Sequence, residues 1–254
     1  MNAPVSPDDV WTMPLDKIDV SDPSLYQNDL WHPYFERLRR EDPVHFVAES
    51  MYGPYWALTK YKDIMHCEVN HGLFSSEIGG IVILDQLPEN KRPSFIMMDP
   101  PKHDEQRKVV GPIVAPGNLA NMESVIRERT RLVLDSLPRN ETFNWVDQVS
   151  IPLTTMMLAT LFDFPFEDRS KLTFWSDVVV ANPADPESPV NTEEERFSIL
   201  KDMAETMGRL FHERRNQPPK FDLLSMLAHG SATQNMPVRE FMGTLGLLLS
   251  LIHI

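Results

Sequence analysis

Apolar residues recur at three- and four-residue intervals along most of this chain, which is the spacing of amphipathic helices. The clearest stripe lies in residues 118–137, where charged residues occupy the opposite face. Its apolar members are Leu119, Met122, Val125, Ile126 and Val133. Helices are also predicted at residues 30–40, 60–70, 221–227 and 236–249. The pattern therefore predicts a mainly α-helical protein.

Three more helices are indicated by their composition or by signals at their ends. Asp99 followed by Pro100 and Pro101 predicts a helix start with Asp99 as the N-cap, and Gly111 predicts its end. Residues 151–164 are almost wholly apolar, which is typical of a buried central helix. The segment 192–195, Thr-Glu-Glu-Glu, has the form of a capping box and predicts the start of a long helix.

A small β element interrupts the helical pattern near the start of the chain. Two β-prone runs, residues 44–47 and 55–59, flank the turn-forming segment 49–54, and together they predict a hairpin over residues 43–59. Residues 1–29 are rich in Pro, Asp and Ser and are expected to form an extended arm. The predicted fold is thus mainly α with a small β-hairpin sheet, followed by a helical part over residues 60–248.

Composition narrows the classes of function. The chain has 254 residues and a formal net charge of −13, which argues against binding to a phosphate backbone. It lacks the glycine-rich phosphate loops of nucleotide-binding folds. There is neither a signal peptide nor an apolar run long enough for a transmembrane segment. We therefore expect a soluble, cytoplasmic protein that does not bind nucleic acid.

The most specific candidate chemistry lies in residues 99–107. His103 and Arg107 are four residues apart, so on a helix they share a face and can contact one anionic group. Spacing alone also allows a solvated first turn with local ion pairs, because Asp104 and Glu105 are adjacent. Both interpretations remain open at this point.

A metal site has weaker support. His66, Cys67 and His71 are close in sequence, but one thiol and two imidazoles do not complete a tetrahedral site. We expect Cys67, the single cysteine, to be a small buried apolar residue, and we predict no metal ligands. No Ser-His-Asp arrangement or carboxylate pair stands out, so no catalytic residue is predicted in this chain.

The order of several segments resembles the amino-terminal part of a bacterial cytochrome P-450, over nearly the whole chain to about Leu248. Four stretches carry the resemblance: residues 55–64 followed by 74–76, residues 99–103 with Arg107, residues 158–165, and residues 222–227. Residues 95–104 and 156–168 are similar to those of bacterial terminal hydroxylases of alkanes and fatty acids.

This resemblance implies a haem-dependent monooxygenase that hydroxylates a terminal C–H bond of an alkane or fatty acid with O₂. It implies haem b as the cofactor, a hydrophobic substrate, and electrons from a ferredoxin and its NAD(P)H-dependent reductase. By resemblance His103 and Arg107 bind the haem propionates, while Phe95, Ile96 and the loop 77–94 line the substrate pocket. Residues 172–191 would form part of its lid. Alternatives are terminal hydroxylation of a steroid side chain, of the cholest-4-en-3-one 26-monooxygenase type, and a non-catalytic, incomplete helical domain.

Several family features are missing from this sequence. The cysteine that binds the haem iron, the acidic residue and threonine of the family's I helix, and the glutamate and arginine of its K helix would all lie beyond Ile254. Cys67 lies in the segment that resembles the B helix and cannot replace the iron ligand. The likeness stops after Leu248, and residues 249–254 match the translation of a transposase end sequence used in DNA libraries. We therefore predict that the fold is truncated in the I helix and that residues 249–254 are a non-native tail.

Overall fold

The computed structural model describes residues 9–81, 83, 91–183 and 185–250. The chain divides into two compact units, Met1–Asn90 and Lys91–Ile254. This boundary lies inside the segment 60–248 that the sequence assigned to a single helical part. The two units have separate hydrophobic cores, and each is described in turn.

The first unit contains the predicted hairpin. Strands β1 (Val44–Val47) and β2 (Tyr55–Leu58) pair antiparallel, with Val44 opposite Leu58 and Val47 opposite Tyr55. The rings of Phe46 and Trp56, which are cross-strand partners, lie 4.8 Å apart on the exposed face. Cross-strand aromatic pairs of this kind stabilise a two-stranded sheet. The prediction of a hairpin is confirmed.

Four α-helices complete the described part of the first unit. They are α1 (Pro23–Gln27), α2 (Trp31–Glu41), α3 (Tyr61–Val69) and α4 (Ser76–Gly79). Helices α2 and α3 confirm the predictions for residues 30–40 and 60–70. Helix α4 lies at the start of the predicted loop 77–94, of which residues 82 and 84–90 are outside the described residues.

The prediction of an extended arm was wrong for the described part of residues 1–29. Two short 3₁₀ turns, Asp9–Trp11 and Leu15–Lys17, precede α1, whose N-cap Asp22 accepts a hydrogen bond from the Ser24 amide. The reason is burial of the apolar residues between the prolines and acidic residues. Four of them are buried in the core of this unit: Val10, Ile18, Val20 and Leu25.

The second unit contains seven α-helices among its described residues. They are α5 (Lys102–Val110), α6 (Pro116–Asp135), α7 (Ile151–Phe162), α8 (Ser170–Val180), α9 (Glu193–Arg215), α10 (Leu223–His229) and α11 (Val238–Ser250). Their core is apolar and contains fully buried side chains from α7 through α11, including Phe162, Trp175, Met207, Leu224 and Leu245. Every helix that the sequence predicted here is present.

Some details differ from the expectations. Pro101, not Asp99, occupies the N-cap position of α5, and the Asp99 carbonyl oxygen accepts from the His103 amide. Helix α7 is only partly buried, since Ile151 in its first turn is 39% exposed. On α6, Val133 is buried while Leu119 is exposed. Apolar composition and periodicity correctly predicted these helices but overestimated how much of each face is covered.

The capping box of α9 is confirmed with one change. The Thr192 hydroxyl accepts from the Glu195 amide at 3.1 Å, as in a capping box. The Glu195 carboxylate accepts from the amide of Asn191, one residue before the cap. The hydroxyl bond of the capping box is therefore present, whereas the carboxylate bond goes to the amide of Asn191 instead of that of Thr192.

The end of α11 overlaps the predicted non-native tail. The helix continues through Leu249, which is fully buried, and Ser250. The Ser176 hydroxyl of α8 donates to the Leu249 carbonyl oxygen at 3.3 Å. Residues 251–254 lie outside the described residues, so the assignment of 249–254 stays a prediction.

Candidate functional site

The first turn of α5 brings two of the predicted site residues together. His103 donates a hydrogen bond from Nδ1 to the carbonyl oxygen of Phe95 at 2.8 Å. The two rings also meet edge to face, with centroids 6.1 Å apart. Because a carbonyl oxygen only accepts, this bond places a proton on Nδ1 and leaves Nε2 as the second ring nitrogen for a ligand.

Arg107 lies one turn further along α5, on the same face as His103. Its side chain is exposed, and it has no hydrogen bond or ion pair among the residues that the structure describes. A guanidinium presents a planar fork of donors that matches a carboxylate, and an imidazolium adds a donor at Nε2. The donor set of this face therefore fits a group that carries two carboxylates, as haem does.

The predicted pocket residues lie directly before α5. Phe95, Ile96 and Met97 form a 3₁₀ turn. Phe95 is buried in the core of the second unit, and Ile96 is half-buried against the same core. Phe95 thus contributes both a buried ring and the carbonyl oxygen that orients His103. The contacts of Ile96 show an apolar environment but no bound substrate.

A polar cluster behind this face was not anticipated. Glu240 in the first turn of α11 is buried and accepts from Lys102 Nζ at 2.6 Å. Its other carboxylate oxygen accepts from the buried amide of Gln106. These bonds hold α5 against α11, because a buried carboxylate that loses such partners is strongly destabilising. No local signal could have revealed this cluster, since its partners are more than 130 positions apart in sequence.

The weaker metal hypothesis receives no support. No group of three or more His, Cys, Asp or Glu side chains positioned to bind a metal occurs within the described ranges. His66 instead packs edge to face on Phe74, and its backbone carbonyl accepts from the Asn70 amide group. Cys67 is a free thiol and is only half-buried, so the prediction of a buried residue was too strong.

Comparison with known proteins identifies relatives over most of the chain. Linalool 8-monooxygenase from Pseudomonas putida is 32% identical over 249 residues, which are 92% of this chain and 60% of that protein. The methyl-branched lipid omega-hydroxylase from Mycobacterium tuberculosis (strain ATCC 25618 / H37Rv) is 28% identical over 185 residues, 66% of this chain and 43% of its own length. No family model matches the chain.

Solved structures share the fold. Cytochrome P-450-153 from Novosphingobium aromaticivorans has a TM-score of 0.78 and 42% identity, covering 91% of this chain and 58% of that one. CYP153D17 from Sphingomonas sp. PAMC 26605 also has a TM-score of 0.78, with 44% identity over 93% of this chain and 59% of its own. The chain spans about 60% of the length of these relatives.

These similarities and a mainly helical fold with a small hairpin define the class of the protein, since the relatives over most of the chain are cytochromes P-450. The chain belongs to the cytochrome P-450 family and contains an amino-terminal part of its fold. Its homologues are named monooxygenases and hydroxylases. No helix within the described ranges is both long and apolar enough to cross a membrane.

Proposed function

We propose that the whole protein to which this chain belongs is a cytoplasmic haem b monooxygenase that hydroxylates the terminal C–H bond of alkanes or fatty acids. It would use O₂ and receive electrons from a ferredoxin and its NAD(P)H-dependent reductase. The haem, when bound, supplies the oxygen chemistry, and the protein positions the substrate and excludes water. No residue of this chain is assigned a catalytic role.

The observation that carries this proposal is the pairing of His103 and Arg107 on α5. The bond from Nδ1 to the Phe95 carbonyl fixes the imidazole, so that only Nε2 remains for a ligand. Since Nδ1 already carries a proton, donation from Nε2 to a carboxylate requires the imidazolium form. Arg107, exposed one turn away, provides a permanent cation for the other carboxylate. In this proposal both residues bind the haem propionates.

The neighbouring apolar residues support a hydrophobic substrate. Phe95 and Ile96 precede α5 directly and would line the pocket. Residues 172–191 would form part of the lid. Within that segment, Leu172–Val180 belongs to α8 and buries Leu172 and Trp175 in the core. A movable part of the lid would therefore have to lie after Val180.

The names of the relatives favour attack at the end of a hydrocarbon chain. A methyl-branched lipid omega-hydroxylase is among them, which supports an aliphatic substrate. The alternative substrate, a steroid side chain, is supported by the steroid C26-monooxygenase from Mycobacterium bovis, 28% identical over 182 residues. The other alternative is a non-catalytic, incomplete helical domain.

The deciding experiment begins with a fresh read of the source gene across the codon for Leu248. We expect it to continue into a helix with an acidic residue and a threonine and later into a loop with a cysteine, with residues 249–254 replaced.

The encoded protein, reduced and exposed to carbon monoxide, should then show the absorption band of a thiolate-bound haem. Spectral titration with an n-alkane, a fatty acid and cholest-4-en-3-one should show tight binding for one of the first two. A stop codon directly after Ile254 would contradict the proposal, and preferential binding of the steroid would select the alternative substrate.

A further inference from the structure

Gly243, in the middle of α11, lies against the backbone that leads into the candidate site. A Cβ atom at this position would lie 2.7 Å from the carbonyl carbon of Arg92, and closer still to the carbonyl oxygens of Arg92 and Pro93. These neighbours are backbone atoms, so no side-chain rotation could relieve the overlap. Any residue other than glycine would push α11 and residues 92–93 apart.

The presence of glycine here needs a specific reason. Apart from proline, glycine is the least favourable residue in a helix interior. The second glycine of the same helix, Gly246, shows the contrast, because a Cβ there would lie 3.6 Å and 3.8 Å from side-chain atoms of Val179, which is ordinary packing. Only at Gly243 does close approach of another backbone require the absence of a side chain.

The backbone held at Gly243 connects directly to the site residues. Pro93 is followed by Ser94 and Phe95, both buried, and the Phe95 carbonyl oxygen accepts the hydrogen bond from His103. Three residues before Gly243, on the same face of α11, Glu240 binds Lys102 and Gln106 of α5. One turn of α11 therefore contacts both the segment that carries Phe95 and the helix that carries His103.

We propose that Gly243 is a positioning residue, at which α11 holds the 92–93 backbone so that the Phe95 carbonyl oxygen stays within hydrogen-bond distance of His103. Its effect on function rests on the proposed function, since it acts by orienting the imidazole assigned to a haem propionate. Its effect on geometry is independent of haem.

The test compares Gly243→Ala with Gly246→Ala in the 254-residue chain. Both changes improve helix propensity equally, and only the first creates a backbone overlap. Amide exchange is followed at Met97 and Met98, whose amides donate to Ser94 and Phe95. Exchange at these amides should be about tenfold faster or more in Gly243→Ala, because local opening becomes easier, and unchanged in Gly246→Ala. The Nδ1–H signal of His103, assigned with His103→Gln, should shift or disappear only in Gly243→Ala.

Equal exchange rates and an unchanged His103 signal in both variants would overturn the proposal. If Gly243→Ala does not fold, the wild-type chain decides instead. Its Gly243 α protons should show nuclear Overhauser effects to residues 92–94, and their absence would refute the contact. Neither readout requires haem, so this test can be carried out even if the monooxygenase proposal fails. A negative result for Gly243 likewise leaves the monooxygenase proposal intact.

Discussion

The chemistry of the candidate site depends on one side chain being held by a backbone atom. An exposed histidine on a helix rotates freely, whereas His103 is held by the hydrogen bond from Nδ1 to the Phe95 carbonyl oxygen. This bond fixes which ring nitrogen faces a ligand, as second partners of functional histidines commonly do. Arg107 has no such tether among the described residues, so its contribution is charge and a flexible fork of donors.

At this scale we predict that His103→Ala and Arg107→Ala each weaken haem binding by the whole protein about 10- to 100-fold. A hydrogen bond to a charged group contributes about 1.5–3 kcal/mol, and each variant removes one or more such bonds to a propionate. Haem affinity is measured by transfer of haem to a high-affinity acceptor protein.

Lys108→Ala is the matched control, because Lys108 is also an exposed cation of α5 but adjoins Arg107 instead of sharing the face of His103. If Lys108→Ala weakens haem binding as much as Arg107→Ala, net charge rather than position is responsible, and the assignment of Arg107 is wrong.

Among the elements, α10 begins at an unusual cap. Asp222 is buried and accepts from the Ser225 amide at 2.8 Å through Oδ1, while Oδ2 is buried without a hydrogen bond. Burial raises the pKa of the Asp222 carboxyl, and the charge of Asp163 adds to this effect; the Ser225 amide and the cations Arg214 and Lys220 act in the opposite direction. The Asp222 side chain thus stabilises the start of α10 by capping the Ser225 amide, although burial destabilises its negative charge.

The raised pKa gives a definite sign to the pH dependence. The folded state holds the proton more tightly than the unfolded state, so this contribution to stability is fully present below the unfolded pKa of about 3.9 and is lost as pH rises through the folded value. Asn also caps helices well but carries no charge. We predict that the stability of Asp222→Asn relative to the wild type increases as pH rises from about 4 to 7.

Urea unfolding of both chains at several pH values checks this prediction. Asp222→Ala serves as the comparison, because it removes the charge and the cap together and should be about 1 kcal/mol less stable than Asp222→Asn. A constant difference between Asp222→Asn and the wild type across this pH range would show that Asp222 does not titrate with a raised pKa.

At the scale of the molecule, α6 presents exposed leucines among charged side chains, without a cover among the described residues. Leu119 and Leu134 are 44% and 46% exposed, and with Ile126 they line an open groove along the helix. The chain spans 60% or less of the length of the relatives reported above, and exposed apolar side chains of this kind promote association. We therefore predict that the 254-residue chain self-associates at micromolar concentration.

Sedimentation velocity tests this expectation with charge substitutions. Leu119→Glu and Leu134→Glu together should shift the population towards monomer. Val238→Glu is the control, since Val238 is 71% exposed at the start of α11 and does not line the groove. A wild-type chain that stays monomeric, or an equal effect of Val238→Glu, would show that the α6 face does not drive association.

Much of this protein could be predicted from local sequence signals. The hairpin, the helices and the capping box of α9 follow from periodicity, turn residues and caps, because these depend on residues close in sequence. The spacing of His103 and Arg107 on one helix face is equally local. The prediction of an extended arm was wrong because it used local signals alone. Burial of Val10, Ile18 and Leu25 in the core depends on residues that lie further along the chain.

What only the tertiary structure decided is how the site is held and oriented. Three contacts join separate elements of the second unit. They are the hydrogen bond between His103 and the Phe95 carbonyl, the hydrogen bonds from α5 to Glu240, and the close approach at Gly243. Burial of each apolar stripe also depends on which neighbours cover it, as the half-exposed α6 and α7 show. By itself the sequence determined where the helices and strands form and that His103 and Arg107 share a face of α5. Long-range packing alone determined which backbone atoms those side chains contact, because these contacts depend on geometry between segments that no local pattern encodes.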